Sequence, residues 1–339
     1  MPQPLSIIIL AAGQGTRMKS SQPKVLHKLA DRPLLKHVID TAYNLGAQDI
    51  HVVFGHGGDA VPQALEEERV YWVEQEQQLG TGHAVEQAMP GVSDEHLVLV
   101  LYGDVPLIKQ STLSSLLNLA SQDKLGLLTA ELPDPTGYGR IVRDQAGNVS
   151  CIVEQKDATE EQRRIREINT GMMAMNGGRL RSWLQALENN NAQKEFYLTD
   201  VIGLAVRDGV SVQTCQPGQL SEIMGINNRA QLAELERFYQ LERARELLHI
   251  GVTLRDPSRF DLRGKLQVGQ DVEIDINVVI EGQVKLGDNV VIGPNNVLRN
   301  VTIGDNTRIQ ANCVLEDAVI GADCRIGPFA RVRPETRTG

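Results

Sequence analysis

The sequence predicts an α/β domain with a Rossmann-like mixed sheet, then a linker helix, then a parallel β-helix. Three observations predict it. Short apolar runs alternate with helically spaced segments up to about residue 226. One charged amphipathic stretch fills 228–250. From Val268 onward, aliphatic residues return every six positions.

In the first part, "SIIIL" (6–10) and "HLVLVLY" (96–102) are nearly continuous apolar runs, which suit parallel strands covered on both faces. "PLLKHVIDTAYNLG" spaces Leu35, Val38, Ile39, Ala42 and Leu45 for a helix that starts at Pro33 and stops at Gly46. "DIHVVFG" (49–55) reads as the next strand. This β-α-β order implies an open sheet that binds ligands at the carboxyl ends of its strands.

The stretch 228–250 reads as a helix with an apolar stripe of Leu232, Leu235, Phe238, Leu241 and Leu248, and Asn228 with Gln231 resembles a capping box. Beyond it, Val268, Ile274, Ile280, Leu286, Ile292 and Leu298 keep the six-residue step. After a five-residue step come Ile303, Ile309 and Leu315, and after another Ile320, Ile326 and Val332. A smaller residue, such as Val272, Val290, Cys313 or Cys324, stands two positions before most of them. Each short strand thus turns one aliphatic side chain inward, with the small partner in a cramped corner. Domain limits of 1–227, 228–250 and 251–339 follow.

The repeat runs on to "RVRPETRTG" with no capping helix after Val332. A stack of coils needs a cap or a partner over its last coil. The expectation is a C-terminally truncated chain, with oligomerisation the other way to shelter that coil.

The 339 residues are 41% hydrophobic and 23% charged, an ordinary balance for about two domains with real cores. A formal net charge of −9 and the absence of any Lys/Arg run argue against nucleic-acid coating, which neutralises many phosphates. The four cysteines form no C-x-x-C pair and read as reduced, structural thiols. The N-terminus lacks the basic start and long apolar core of a signal peptide, and no apolar run is long enough to span a membrane. A cytoplasmic protein is expected.

The chemistry concentrates in a few stretches. "LAAGQGTRMKSSQPK" (10–24) leaves the first strand through glycines and places Arg17 and Lys24 nearby. Such a turn lets backbone N–H groups approach a phosphate. The loop is neither G-x-G-x-x-G, since Met18 stands at the third glycine, nor a Walker A, since G-K-[ST] is missing. In "EQEQQLGTGHAVEQA" (74–88), Gln75 precedes a Gly80-Thr81-Gly82 turn where a flat base can lie on backbone. A carboxamide there suits the imide edge of uracil. "LVLVLYGDVPL" delivers Asp104 from a strand end, as a Mg²⁺ ligand or as a turn-forming residue before Val-Pro. "PTGYGR", "IVEQKDA" and "EINTGMMAMN" look like a sugar-binding lobe, with Gly139 for close approach and Glu154 and Asn169 for hydrogen bonds. For the last two, the other reading is a solvated strand face. Asn227 reads equally as a second metal ligand or as a cap beside Asn228. None of the seven histidines has metal or triad spacing, and His83 reads as a helix-start residue.

In order and spacing these motifs resemble the sugar-1-phosphate nucleotidyltransferases. Over essentially the whole chain they resemble the bacterial bifunctional N-acetylglucosamine-1-phosphate uridyltransferase/glucosamine-1-phosphate acetyltransferase family. The resemblance implies nucleotide contacts from Leu10, Ala11, Ala12, Gly13, Lys24, Gln75, Gly80 and Thr81. It implies sugar-side contacts from Tyr102, Gly103, Gly139, Glu154, Asn169 and Asn227. Mg²⁺ would be held by Asp104 and Asn227, and the catalytic residues would be Arg17, Lys24 and Asp104. It also implies UTP and N-acetylglucosamine 1-phosphate as partners, a left-handed winding of the β-helix, and a homotrimer. The family's acetyltransferase site lies mostly in later coils; Arg333 matches one sugar-phosphate contact of it, so uridyl transfer without acetyl transfer is expected.

Three other readings compete: a same-fold enzyme with another nucleotide or sugar, a non-catalytic regulatory subunit, and a β-helix acyltransferase. The subunit should have lost Arg17, Lys24 or Asp104, and all three are present.

Overall fold

A computed structural model describes residues 3–55, 57–121 and 123–339. The chain divides into two compact units, Met1–His27 with Pro33–Arg229, and Lys28–Arg32 with Ala230–Gly339.

In chain order the first segments are β1 (Leu5–Leu10), β2 (Lys28–Leu29), β3 (Arg32–Pro33), α1 (Leu34–Asn44), β4 (Asp49–Phe54), α2 (Ala60–Ala64) and β5 (Tyr71–Glu74). Next are α3 (Thr81–Ala88), β6 (Leu97–Tyr102), α4 (Gln110–Leu119), β7 (Lys124–Glu131), β8 (Arg140–Arg143) and β9 (Val149–Val153). Then come α5 (Glu160–Arg163), β10 (Glu167–Asn176), α6 (Gly177–Gln185), α7 (Asp200–Arg207), β11 (Ser211–Cys215) and α8 (Arg229–His249).

The first unit is built on one sheet in the order β11-β7-β10-β6-β1-β4-β5, with β8 attached to β10 and β9 to β8. The β6-β1-β4-β5 part is parallel, which explains the apolar runs of β1 and β6. Ile7, Ile8 and Ile9 are fully buried, Ile7 and Ile9 in a core on one face of the sheet and Ile8 in a core on the other. Strand β10 runs antiparallel to both β6 and β7, so the sheet is mixed. Ridges of aliphatic side chains on α1 and α3 cover opposite faces.

Register decides where the site can form. Leu10 pairs with Tyr102, so β1 and β6 end level and release residues 11–13 and 103–104 side by side. Ala11 donates its N–H to Val53 O at 2.8 Å, and Gly103 to Leu10 O at 2.9 Å, extending the sheet beyond the strand ends. Strand β10 pairs Met173 with Val100, and being antiparallel it carries the residues before Met173 past the carboxyl end of β6. A register shift between Asn169 and Met173 lifts Gly171 towards the Tyr102 ring.

The second unit coils. Long strands Phe260–Val268 and Val278–Leu286 pair in parallel eighteen residues apart, and Lys285 pairs with Thr302 seventeen apart where the repeat drops a residue. Ile274, Ile280, Leu286, Ile292, Leu298, Ile303, Ile309, Leu315 and Ile320 are buried, as the six-residue step predicts. Val268, Ile326 and Val332, nearer the ends of the stack, are only partly buried. Cys313 fills its corner fully and Cys324 partly, and all four cysteines are free. Asn296 takes a corner where a small apolar residue is expected. Its Nδ2 donates to Gly293 O at 2.8 Å and Gln310 O at 2.9 Å, and its Oδ1 accepts from Cys313 N, so the buried amide is satisfied.

The apolar stripe expected on α8 needs correction. Leu235 is buried, but Phe238 and Leu248 are exposed, while Gln240, Ala244 and Leu247 are buried instead. A chain of three-residue steps drifts around a helix of 3.6 residues per turn, and the buried face follows the 3.6 period. Among the described residues, no helix is long and apolar enough to cross a membrane.

Candidate functional site

The level ends of β1 and β6 and the start of α3 enclose one open cavity in the first unit. Its floor is Leu10, Ala11, Ala12 and Gly13 from the first loop, with Tyr102 and Asp104 from the second. Its far wall is Gln75, Gly80 and Thr81, and Lys24 reaches in from the segment after the loop. Four further lining residues were not expected from the sequence: Val25, Gln78, Ala84 and Glu195. Gln78 lies inside the "QQLGTG" stretch and was open to the same reading as Gln75. Glu195 belongs to 186–199, a segment without a motif.

Two glycines, Gly80 in this wall and Gly15 in the loop before Lys24, are required by the backbone. Gly80 has φ +116°, and a Cβ there would meet the Phe196 backbone at 2.6–2.8 Å. Gly15 has φ +62°, and a Cβ there would meet the Lys24 Cβ at 2.7 Å. By contrast, nothing lies within 4 Å of a Cβ built on Gly13, which borders the open cavity.

The polar centre is a small network. The Lys24 ammonium donates to Asp104 Oδ2 and, at 3.2 Å, to Asn227 Oδ1. Arg17 Nη2 donates to the same Asn227 oxygen at 2.9 Å. The Asp104 carbonyl accepts from Ile226 N at 3.0 Å, which pins the segment before Asn227 alongside Asp104. A carboxylate and a carboxamide oxygen therefore converge on one cation, here an ammonium. This is a hard-oxygen donor pair, and a divalent cation fits it with phosphate oxygens and water completing its shell. Among the described residues, no group of three or more His, Cys, Asp or Glu could hold a metal ion.

Three of the expected sugar-side residues, Gly139, Glu154 and Asn169, form a second cluster outside the cavity lining. Gly139 O accepts from Asn169 N at 2.9 Å, and a Cβ on Gly139 would meet Glu154 Oε1 at 3.3 Å. Asn169 Oδ1 accepts from Gly171 N at 2.9 Å, leaving its Nδ2 as the donor. Glu154 Oε1 accepts from Thr199 Oγ1 at 3.1 Å. Arg140, 1% exposed, braces this lobe by donating to Tyr138 O and, at 2.6 Å, to Gln155 Oε1. Tyr102 joins the two clusters, since its ring faces Gly171 and its hydroxyl feels Glu154 and Asp104. A Cβ on Gly103 would meet Leu35 at 3.1 Å, Ala11 at 3.3 Å and Val25 at 3.4 Å.

Electrostatics follow from burial. Burial pushes the Tyr102 phenol up, helped by Glu154 and Asp104, so it stays neutral. Tyr138 is raised for the same reasons, burial and then Asp104. Burial also raises the Glu154 carboxyl; the Thr199 hydroxyl opposes this, and Asp200 and Asp157 add to it. The Tyr197 phenol beside them is pushed up to about 12 by burial and the same acidic neighbours.

Residues 7–198 match the family model of the MobA-like NTP transferase domain, and residues 262–339 match that of the GMPPB C-terminal domain. The chain is 55% identical over 333 residues to the bifunctional protein GlmU of Marinobacter nauticus, covering 98% of this chain and 73% of that one. It is 54% identical over 330 residues to that of Idiomarina loihiensis, and 55% over 336 residues to that of Alkalilimnicola ehrlichii. These two matches cover 97% and 99% of this chain and 72% of each relative. They do not establish the truncation expected from the sequence. A solved nucleotidyl transferase from Methanothermobacter thermautotroptrophicus is similar over 70% of this chain and 98% of its own, with a TM-score of 0.49 and 16% identity.

Proposed function

This chain belongs to the family of bifunctional GlmU proteins and has a MobA-like NTP transferase domain, and we propose that its glycine-lined cavity is the reaction site. The chain is a uridyltransferase. It transfers UMP from UTP to N-acetylglucosamine 1-phosphate, releasing pyrophosphate and giving UDP-N-acetylglucosamine, a precursor for cell-wall synthesis. The observation that carries the placement is the meeting of Lys24, Asp104 and Asn227 beside the open backbone of Gly13.

The attacking group is a phosphate monoester, whose second pKa near ~6 leaves it mostly dianionic at neutral pH. No general base is needed. The chain's task is to bring two anions together and hold them in line. Backbone from Leu10 to Gly13 lies against the triphosphate, Arg17 offsets charge growing on pyrophosphate, and Lys24 holds the phosphates of the product. Gln75, Gly80 and Thr81 take the base and its ribose. Tyr102, Gly103, Gly139, Glu154, Asn169 and Asn227 take the sugar side, where the raised carboxyl of Glu154 and the spare donor of Asn169 meet hydroxyl and amide groups. The divalent cation is Mg²⁺ on Asp104 and Asn227; when bound it offsets the negative charge of both phosphates as a Lewis acid.

The coils of the second unit correspond to the acetyltransferase half of the bifunctional members. We assign to them a homotrimer in the cytoplasm. Phe329 on the last coils is 79% exposed and Val314 and Val319 are exposed as well, an apolar surface that association would cover.

Pyrophosphate release across UTP, CTP, GTP and dTTP, each with several sugar 1-phosphates and Mg²⁺, tests the reading. UTP with N-acetylglucosamine 1-phosphate should be the fastest pair, and a different best pair would replace the substrate assignment. Light scattering on the purified chain checks the trimer, which a monomeric mass would exclude.

A further inference from the structure

We infer that His83 is a positioning residue for base specificity: it uses up the second amide hydrogen of Gln75, so that this carboxamide can show a base only its oxygen. The inference rests on the reading above that the cavity holds the base of the nucleotide.

Gln75 follows β5 directly and is 3% exposed, with its N–H donated to Phe54 O at 2.7 Å. Its Nε2 lies 3.1 Å from the carbonyl oxygen of Gly80. A carbonyl oxygen only accepts, so the nitrogen end of the amide must face it, and the orientation of Gln75 is fixed by chemistry. The same Nε2 lies 3.0 Å from His83 Nδ1. The second amide hydrogen goes there, which makes Nδ1 an acceptor and places the ring proton on Nε2. Gln87 Nε2 lies 3.2 Å from that ring Nε2 and 3.4 Å from His83 O. To take the ring proton through its oxygen, the Gln87 carboxamide must turn over, giving up this longer contact rather than the 3.1 Å bond of Gln75 to Gly80 O.

Both donors of Gln75 are then spent inside the protein. Among the described residues no hydrogen bond ends on its Oε1, and Gln75 lines the cavity. A base that meets Oε1 must bring an N–H. The ring N3 of uracil carries one. The ring N3 of cytosine does not, and would meet the oxygen lone pair to lone pair.

A carboxamide free to turn over would accept cytosine by offering its nitrogen. Turning over would set Oε1 against two acceptors at once, Gly80 O and His83 Nδ1. Gly80 opposes the turn alone when the histidine is removed, so part of the barrier against cytosine goes with it. One neutral hydrogen bond is worth about 1 kcal/mol, which converts to a loss of roughly fivefold to tenfold in discrimination.

The test compares kcat/KM for UTP and for CTP in the full chain, with N-acetylglucosamine 1-phosphate as acceptor. In His83→Phe the UTP-over-CTP ratio should fall about fivefold to tenfold, with the change in KM rather than kcat. His83→Asn, whose Oδ1 can stand where Nδ1 stood, should restore most of the ratio. Nitrogen-15 NMR of the ligand-free protein should show His83 protonated on Nε2. An unchanged ratio in a folded His83→Phe, or a proton found on Nδ1, overturns the inference. Wild-type protein that uses CTP as well as UTP overturns the base-pocket reading instead. Wild-type protein inert towards UTP overturns the uridyl-transfer assignment, while the NMR result still decides the role of His83.

Discussion

The Asp104 carboxylate and the Lys24 ammonium are in contact, each largely shielded from solvent, at the heart of the cavity. That contact gives the sharpest residue-scale expectations. Asp104→Ala removes an oxygen donor and should lower kcat on the order of 10²–10³, the usual cost of one preorganised charge. The far-ultraviolet circular dichroism of the variant should match that of the parent, since Asp104 lies outside the core clusters. Arg17→Ala should lower kcat similarly, read by pyrophosphate release. Asn227→Ala should shift the Mg²⁺ titration to higher concentration; an unmoved titration would count against its ligand role. These positions were legible in the sequence because each belongs to a short stretch with a chemical reason for its residue type. Glu195 and Thr199 were not. They reach the site through a loop whose path depends on Phe196 donating its N–H to Leu79 O.

At the scale of elements, α8 and its neighbours show how a polar residue can be a core residue. Gln240 is 1% exposed, and it exchanges hydrogen bonds with the backbone of Leu262, accepting at 2.7 Å and donating at 3.2 Å. It acts as a strand partner for the first long strand of the coil. Gln240→Ala leaves the buried Leu262 N–H unpaired and should cost about 1–3 kcal/mol, read from urea unfolding. Ile292→Ala, in the middle of the stack, should cost about 2–5 kcal/mol by opening a cavity between coils. The six-residue period told in advance that Ile292 is buried. It could not tell that Gln240 is, because a glutamine on a charged helix ordinarily faces solvent and nothing local marks the exception.

For the whole molecule, pH links the site to stability. Glu154 and Asp200 both titrate above the usual carboxylate range because of burial and acidic neighbours. A raised carboxyl contributes its full stability below the unfolded-state pKa, and that contribution is lost as pH rises through the folded value. Glu154→Gln should therefore match the parent near pH 4 and be more stable than it at pH 8, as measured by the urea midpoint. Glu167 and Asp261 have the opposite sign, because arginine hydrogen bonds outweigh burial and hold them low. Their contribution is present above the unfolded pKa and fades as acid protonates them. If Glu154 contacts the sugar as proposed, Glu154→Gln should trade activity for stability.

The sequence by itself determined what is periodic or contiguous: the buried strands, the six-residue coil, and the glycine loop followed by Arg17 and Lys24. Such features need only neighbours within a few residues, so their physics is complete in the local text. The tertiary structure alone decided which donors are spent and which remain. Lys24 meets Asp104 across 80 residues and Asn227 across 203, and the antiparallel course of β10 brings Asn169 to the lobe. Hydrogen-bond capacity is finite at each atom, and its allocation is settled only when distant segments have arrived.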